Sequence, residues 1–452
     1  MTKPSLPQGM RDFSAETVRK RNYIFNTIRN SFEIHGFEPL ETPAMENLET
    51  LLGKYGDEGD KLIFKVLNNG LNDPKNIDKA QVGFAKVLEG KNTAELTERA
   101  LKYDLTIPFA RFVAMHHGQL TFPYKRYQMQ PVWRADRPQK GRYREFTQCD
   151  ADVVGSKSLL NEVDLANIYH HVFTSLGLKG YALHINNRKI LAALAQTCGG
   201  DLTNITVAID KLDKIGEEKV MIELEGKGLN DQQRKIISTY LNIVGSNAEK
   251  LDALLKLFAS DSLATEGIAE IKFIAEKLHN VNLVLDPTLA RGLNYYTGTI
   301  FEVKAPPDVK IGSIGGGGRY DDLTGLFGVK DIAGVGISFG VDRIYDVLEE
   351  MNLFPPDLQK GPQVFFLNLG EKESEVSYTI LQQLRGAGIS GELFHETAKM
   401  EKQLKYADKK GFQFAVIIGS QELQTGQAVV KTLSTGTQEK FSFENILTFI
   451  KT

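Results

Sequence analysis

The chain has 452 residues, 25% of them charged and 42% hydrophobic, with a formal net charge of −3. Such a length exceeds one hydrophobic core and predicts two or three domains, while the charge supplies no global basic field, so any RNA contact must come from local patches. No run reaches the roughly 18–20 apolar residues of a membrane span, the first residues lack the apolar core of a signal peptide, and two cysteines (Cys149, Cys198) are too few for a disulfide framework or a cysteine zinc site, so the expected location is the cytosol.

Ala15–His35 is expected to be a helix, with Phe25, Ile28 and Phe32 at three- and four-residue spacing and Gly36 where a C-terminal cap belongs. The following run, GFEPLETPAMEN, reads as extended, and Pro43 points to an edge strand or an interface. From Lys125 to Gly155 the pattern has period two, with Tyr127, Met129 and Trp133 alternating with polar residues. A loop rich in Pro, Gly and basic residues (Arg137–Gly141) follows, and a second strand is expected to start near Arg142, giving an antiparallel hairpin with a long tip. In that second strand Thr147, Cys149, Ala151 and Val153 share one face, and Phe146, Gln148, Asp150 and Asp152 the other. A face of one aromatic, one amide and two carboxylates is either solvated or the floor of a site.

No proline occurs between Pro138 and Pro287, and residues of about 187–280 read as a mostly helical module set between β-rich parts. RGLNYYTGTIFEV then leads into a strand, the glycine run Gly315–Gly318 follows, and a helix is expected through Phe339, Ile344 and Val347. NLFPPDLQKGP reads as a linker, and the remaining chain, with β-like runs VFFLN (364–368) and FAVIIGS (414–420) between amphipathic stretches, as a separate α/β domain of about 90 residues.

Four stretches carry chemistry. In VWRADRPQKGRYREF the cations Arg134, Arg137, Lys140, Arg142 and Arg144 lie close together, and guanidinium forks suit a polyphosphate or an RNA backbone; a solvated basic loop is the bland alternative, weakened by Phe146 and Gln148 next door. Tyr295 and Tyr296, if in a strand, point to opposite faces, so at most one faces a given pocket, and such a pair is usually packing. IGGGGRYDDLTG allows close approach of a ligand but lacks the GK[ST] of a Walker loop; a flexible hairpin turn is the common use of such a run. Arg343, four residues after Phe339 and four before Val347, needs an anionic partner, either an internal carboxylate such as Asp342 or Glu349 or a bound phosphate. His116–His117 and His170–His171 are adjacent pairs rather than metal-spaced ones.

Taken in order, these motifs resemble those of class II aminoacyl-tRNA synthetases of the histidyl family. The first helix with GFEPLETPAMEN is similar to motif 1, VWRADRPQKGRYREFTQCDADVVG to motif 2 and GVGISFGVDRIYDVL to motif 3, while LARGLNYYTG and IGGGGRYDDL resemble the two histidyl-specific peptides. The resemblance runs nearly the whole chain, including PQGMRDF near the start. It implies an α+β fold: an antiparallel-sheet catalytic domain over 1–352 with the helical insertion, a linker over 353–362, and an α/β anticodon-binding domain over 363–452. It further implies an ATP-dependent ligase joining L-histidine to tRNA(His), a homodimer through motif 1, and Mg²⁺ carried by ATP with no metal site built from protein ligands alone. A histidine-sensing regulatory paralogue that charges no tRNA is the alternative, disfavoured by the presence of Arg134, Arg291, Arg343 and residues 361–452.

By the same resemblance Arg134 corresponds to the arginine at the α-phosphate, Arg142 and Arg144 lie along the triphosphate, Phe146 stacks on adenine, and Arg343 meets the γ-phosphate. Asp104 and Thr106 with Gln148 correspond to the group holding the histidine α-amine. Asp152 and Tyr296, beside Tyr295, read the imidazole, and Arg291 takes the place of a metal ion between α-phosphate and carboxylate. Asp104 and Asp152 stand where many bacterial members carry glutamate, which shortens their reach by one methylene. Asn294 stands where the family carries aspartate, removing a charge near Arg291 and Tyr296.

Overall fold

The computed structural model describes residues 3–451 except Lys54, Ser260, 291–294 and 360–361, and leaves aside the side chains of 56–58, 357 and 359. Arg291 and Asn294 therefore lie outside the described residues. The chain forms two units, Met1–Leu353 and Phe354–Thr452.

In the first unit, the described residues place eight strands in one sheet: β1 (Glu38–Pro39), β2 (Tyr124–Trp133), β3 (Glu145–Val154), β4 (Ala182–Asn187), β5 (Leu283–Leu285), β6 (Thr299–Lys304), β7 (Gly315–Tyr320) and β8 (Gly334–Gly340). Their order is β1-β2-β3-β8-β7-β6-β4-β5, antiparallel throughout except for the two edge pairs. Prolines sit where the sheet can spare a donor: Pro39 is in the edge strand, and Pro43 lies outside any strand.

Period-two alternation decides which way each strand faces. On the back of the sheet Tyr127, Cys149, Ala151, Val153 and Phe339 are buried. Two helices cover them: α1 (Ala15–Ile34), whose Phe32 ring lies 5.5 Å from Tyr127 and 5.8 Å from Phe339, and α3 (Leu160–Ser175), whose Tyr169 lies 4.8 Å from Phe339. Between them in sequence lies α2 (Thr106–His116). Helix α1 starts at the Ser14 cap, which accepts the Thr17 N–H, and ends at Gly36, whose φ of 76° suits glycine. A buried ion pair, Arg319–Glu162 at 2.5 Å, ties β7 to α3.

Two sequence expectations change here, and one bland alternative falls. The helix expected through Phe339 begins only at Val341, as α4 (Val341–Glu350); Val335, Ile337 and Phe339 alternate on β8, so Phe339 and Arg343 share no helix face. The second hairpin strand starts at Glu145 rather than near Arg142, because Gln139–Arg142 closes a tight bridge of its own in the tip. The glycine run is a fully buried strand, not a turn. Its glycines have ordinary extended backbone, and what they provide is room: a Cβ on Gly317 would stand 2.1 Å from the Gly336 carbonyl oxygen, and one on Gly318 would stand 2.7 Å from the Tyr296 ring.

The insertion leaves the sheet after β4 and returns at β5, and its described residues form seven helices from Arg188–Cys198 to Ser262–Lys277. In the second unit a five-stranded sheet begins with parallel Gly391–Leu393, Val364–Phe366 and Phe414–Ile417 and ends with antiparallel Gln427–Thr432 and Gln438–Ser442. Helices Glu371–Gly386 and Met400–Lys410 accompany it, and apolar clusters around Phe366 and Phe365 fill its two faces. Lys399, Lys402, Lys409 and Lys410 are exposed there.

Candidate active site

The open face of the main sheet floors a cavity of about 1010 Å³, roomy enough for two small substrates side by side. The polar face foreseen for β3 forms its centre: Phe146, Gln148, Asp150 and Asp152 all line it. Ladder register sets their neighbours. Across one edge Gln130, Gln128 and Arg126 of β2 stand opposite Gln148, Asp150 and Asp152; across the other stand Gly340, Ser338 and Gly336 of β8.

At the deep end Asp152 is 2% exposed and held on both sides, by the Tyr320 hydroxyl and by Arg126 Nη2 at 2.8 Å. Gly336 makes this possible, since a Cβ there would fall 1.9 Å from Asp152 Oδ1. Arg126 is fully buried and also lies 4.1 Å over the Phe109 ring. Burial lifts the carboxyls of Asp104, Asp150 and Asp152 above the ordinary range, Asp150 to about 7, with Arg126 pulling the other way. Asp104, just before α2, accepts the Tyr55 hydroxyl at 3.0 Å and the Ile107 N–H at 3.1 Å through Oδ1. Its Oδ2, Gln148 Oε1 and Asp150 Oδ1 are buried without a partner among the described residues. Three carboxylates against one buried arginine, with buried acceptor oxygens left without a partner among the described residues, make a site for a cationic or N–H-donating ligand.

Tyr295 and Tyr296 both line the cavity. The expectation that only one could do so fails because both precede β6, in a stretch without strand alternation. Burial pushes the Tyr295 phenol up, with Tyr296 and Asp104 adding to the rise and Thr106 opposing it. Tyr296 leans over Gly318. Tyr320 also reaches Asp152, through its hydroxyl.

The other end is cationic. Arg134 donates to the Tyr103 carbonyl at 3.1 Å and lies 5.2 Å from the Phe146 ring centre. Arg142 stands 3.6 Å from Asp136, and Arg343 donates to the carbonyls of Gly141 (3.0 Å) and Ser313 (2.6 Å); all three arginines line the cavity. Asp342 and Glu349, the carboxylates considered for Arg343, are engaged by Arg11 and Arg21, and by Lys20. Arg144 is not part of the lining. Its backbone N–H bonds the Gly9 carbonyl and its side chain packs where a Gly9 Cβ would stand, 2.8 Å from Arg144 Cγ, so the cluster visible in sequence splits between the cavity and the brace behind it. That brace is the PQGMRDF segment: Arg11 stacks 3.2 Å over Tyr143 of the hairpin tip and pairs with Asp342 of α4 at 2.7 Å.

Sequence reasoning did not single out Arg126, Tyr320 or Ser338. For Arg126 the signal was present, as Arg126, Gln128 and Gln130 form the polar half of the alternation in β2. Among the described residues no group of three or more His, Cys, Asp or Glu could hold a metal ion, and none of the helices could cross a membrane. The paired histidines have local partners: His116 meets the Phe112 carbonyl, His170 the Tyr181 hydroxyl and His171 the Ser31 hydroxyl.

The family model described as "Histidyl-tRNA synthetase" matches residues 88–344, and that described as "Anticodon binding domain" matches residues 363–452. Histidine--tRNA ligases of Christiangramia forsetii and Bacteroides fragilis are 51% and 50% identical to the chain, each alignment covering 98% of both sequences. The crystal structure of histidyl-tRNA synthetase from Nostoc sp. PCC 7120 superposes with a TM-score of 0.79 at 32% identity, covering 100% of this chain and 99% of that one. With its antiparallel sheet, arginine-lined hairpin and acidic floor, the chain belongs to the histidyl-tRNA synthetase family.

Proposed function

We propose that the acidic floor binds L-histidine and the arginine-lined end binds MgATP, so that the histidine carboxylate faces the α-phosphorus. The chain is an ATP-dependent histidine–tRNA ligase. In the first step a carboxylate oxygen bonds to the α-phosphorus while the phosphorus–oxygen bond to the β-phosphate breaks, giving histidyl-adenylate and pyrophosphate. In the second, a terminal ribose hydroxyl of tRNA(His) attacks the carbonyl carbon, AMP leaves, and the hydroxyl proton departs. The protein's part is alignment, which can supply roughly 7–11 kcal/mol of barrier lowering, and fixed cations where charge develops. In this reading Arg134 faces the α-phosphate, Arg142 and Arg343 the outer phosphates, and Phe146 the adenine, with Mg²⁺ arriving on the nucleotide; Arg291 is assigned to the α-phosphate and carboxylate from the family resemblance. Asp104, Thr106 and Gln148 hold the ammonium, while Asp152, fixed by Arg126 and Tyr320, reads the imidazole with Tyr296, beside Tyr295.

The observation that carries this reading is the pair of unpartnered, buried acceptors, Asp104 Oδ2 and Gln148 Oε1, on the floor of a cavity whose other end is lined by arginines. Residues 363–452 would read the anticodon, the segment Ala15–Asn47 would form a homodimer interface, and the enzyme would work in the cytosol. The test is histidine-dependent exchange of labelled pyrophosphate into ATP, with the other amino acids as controls. Exchange with histidine alone is expected. Histidine binding without exchange would instead favour a regulator that does not charge tRNA.

A further inference from the structure

Ser338 lies mid-strand in β8, paired with Gly316 on one side and Asp150 on the other. Its hydroxyl oxygen accepts from Gln148 Nε2 at 3.1 Å, and the residue stands directly opposite Asp150 in the ladder. In the structure the amide spends its NH₂ on the Ser338 oxygen, which leaves Gln148 Oε1 as the acceptor end. The partnerless state of Gln148 Oε1 among the described residues fits that orientation. A flipped amide would set an N–H against the ammonium of the amino-acid substrate.

We infer that Ser338 is a positioning residue for substrate selection: it holds the NH₂ end of the Gln148 amide, so that the oxygen end is kept as the acceptor for an ammonium group. The inference rests on the assignment of the acidic floor to histidine. Ser338→Ala frees the amide to rotate, whereas Ser338→Thr keeps the hydroxyl, and its cross-strand neighbour Gly316 has no side chain.

The experiment is histidine-dependent pyrophosphate exchange by wild type, Ser338→Ala and Ser338→Thr, with KM measured for histidine and for ATP. Expected are a histidine KM about tenfold higher in Ser338→Ala, an ATP KM within twofold of wild type, and recovery to within about threefold in Ser338→Thr. A histidine KM within twofold of wild type in Ser338→Ala overturns the inference. So does equal damage by Ser338→Thr, which would make space rather than the hydroxyl decisive, or an ATP KM rising in step. Should Ser338→Ala not fold, Ser338→Cys repeats the deletion with a weak hydrogen-bonding group of similar size. Absence of exchange in the wild type would remove the reading beneath the inference, a result distinct from all of these.

Discussion

Replacing Asp150 with asparagine tests the electrostatics of the floor without changing its shape. Burial lifts this carboxyl from 3.8 to about 7, against the pull of Arg126 and the Ser338 hydroxyl and with the help of Asp152 and Asp104. The folded chain therefore binds the proton more tightly than the unfolded one. The stability linked to that proton is complete below pH 4 and is lost as pH rises to about 7. A lift of about three pH units at 1.36 kcal/mol each corresponds to about 4 kcal/mol, an order-of-magnitude figure for the ligand-free protein. Asparagine is neutral at every pH, so the advantage of Asp150→Asn over wild type should be small near pH 4 and approach its full size at pH 8. On a unit of this size that is a rise in melting temperature of roughly 5–10 °C at pH 8. Thermal unfolding followed by circular dichroism at both pH values, without substrates, is the assay. A variant no more stable than wild type at pH 8, or equally stabilised at both, would refute the argument that Asp150 is a strained buried charge.

Gly336→Ala drives a methyl into Asp152 and should raise the histidine KM at least tenfold while the ATP KM stays within threefold, read in the same exchange assay. Arg134→Ala should slow adenylate formation by a factor on the order of 10²–10³, the cost of one preorganised donor, in single-turnover measurements. Glu162→Gln leaves Arg319 with only the half-exposed Asp321 as a charged partner and should cost about 1–3 kcal/mol in urea unfolding; no measurable loss would mean that Asp321 and water suffice for the arginine. Arg11→Ala removes both the stack on Tyr143 and the pair with Asp342, so the ATP KM should rise several-fold with little change for histidine.

Much of the site was legible wherever it lay in one strand. Alternation in β3 put Phe146, Gln148, Asp150 and Asp152 on one face, and that face is the floor. What the sequence could not show was pairing across distance: Tyr320 and Ser338 reach β3 from 168 and 190 residues away. Arg144 could not be told apart in sequence from its neighbours, because proximity along a loop does not fix direction, and its backbone N–H bonds the Gly9 carbonyl. The Phe339 helix, by contrast, misled. Spacings of four arose by chance across a strand–helix junction at Gly340, where two-residue and four-residue spacings coincide. Likewise a glycine run suggests looseness when read alone, and becomes a tight strand only through the neighbours that crowd it.

The helical excursion between β4 and β5 imposes an order of events on the ribosome. Leu183 pairs with Leu283, and the other neighbour of β4 begins only at Thr299, so β4 has neither partner until about a hundred further residues have been made. At about 5–20 residues per second that is a wait of roughly 5–20 s, long compared with the folding of the helices made meanwhile. The insertion can thus be finished before the sheet that carries the chemistry has closed, and Ser338 reaches Asp150 later still. A nascent chain stalled near residue 280 would expose an unpaired β4 while its helical module already resists proteolysis.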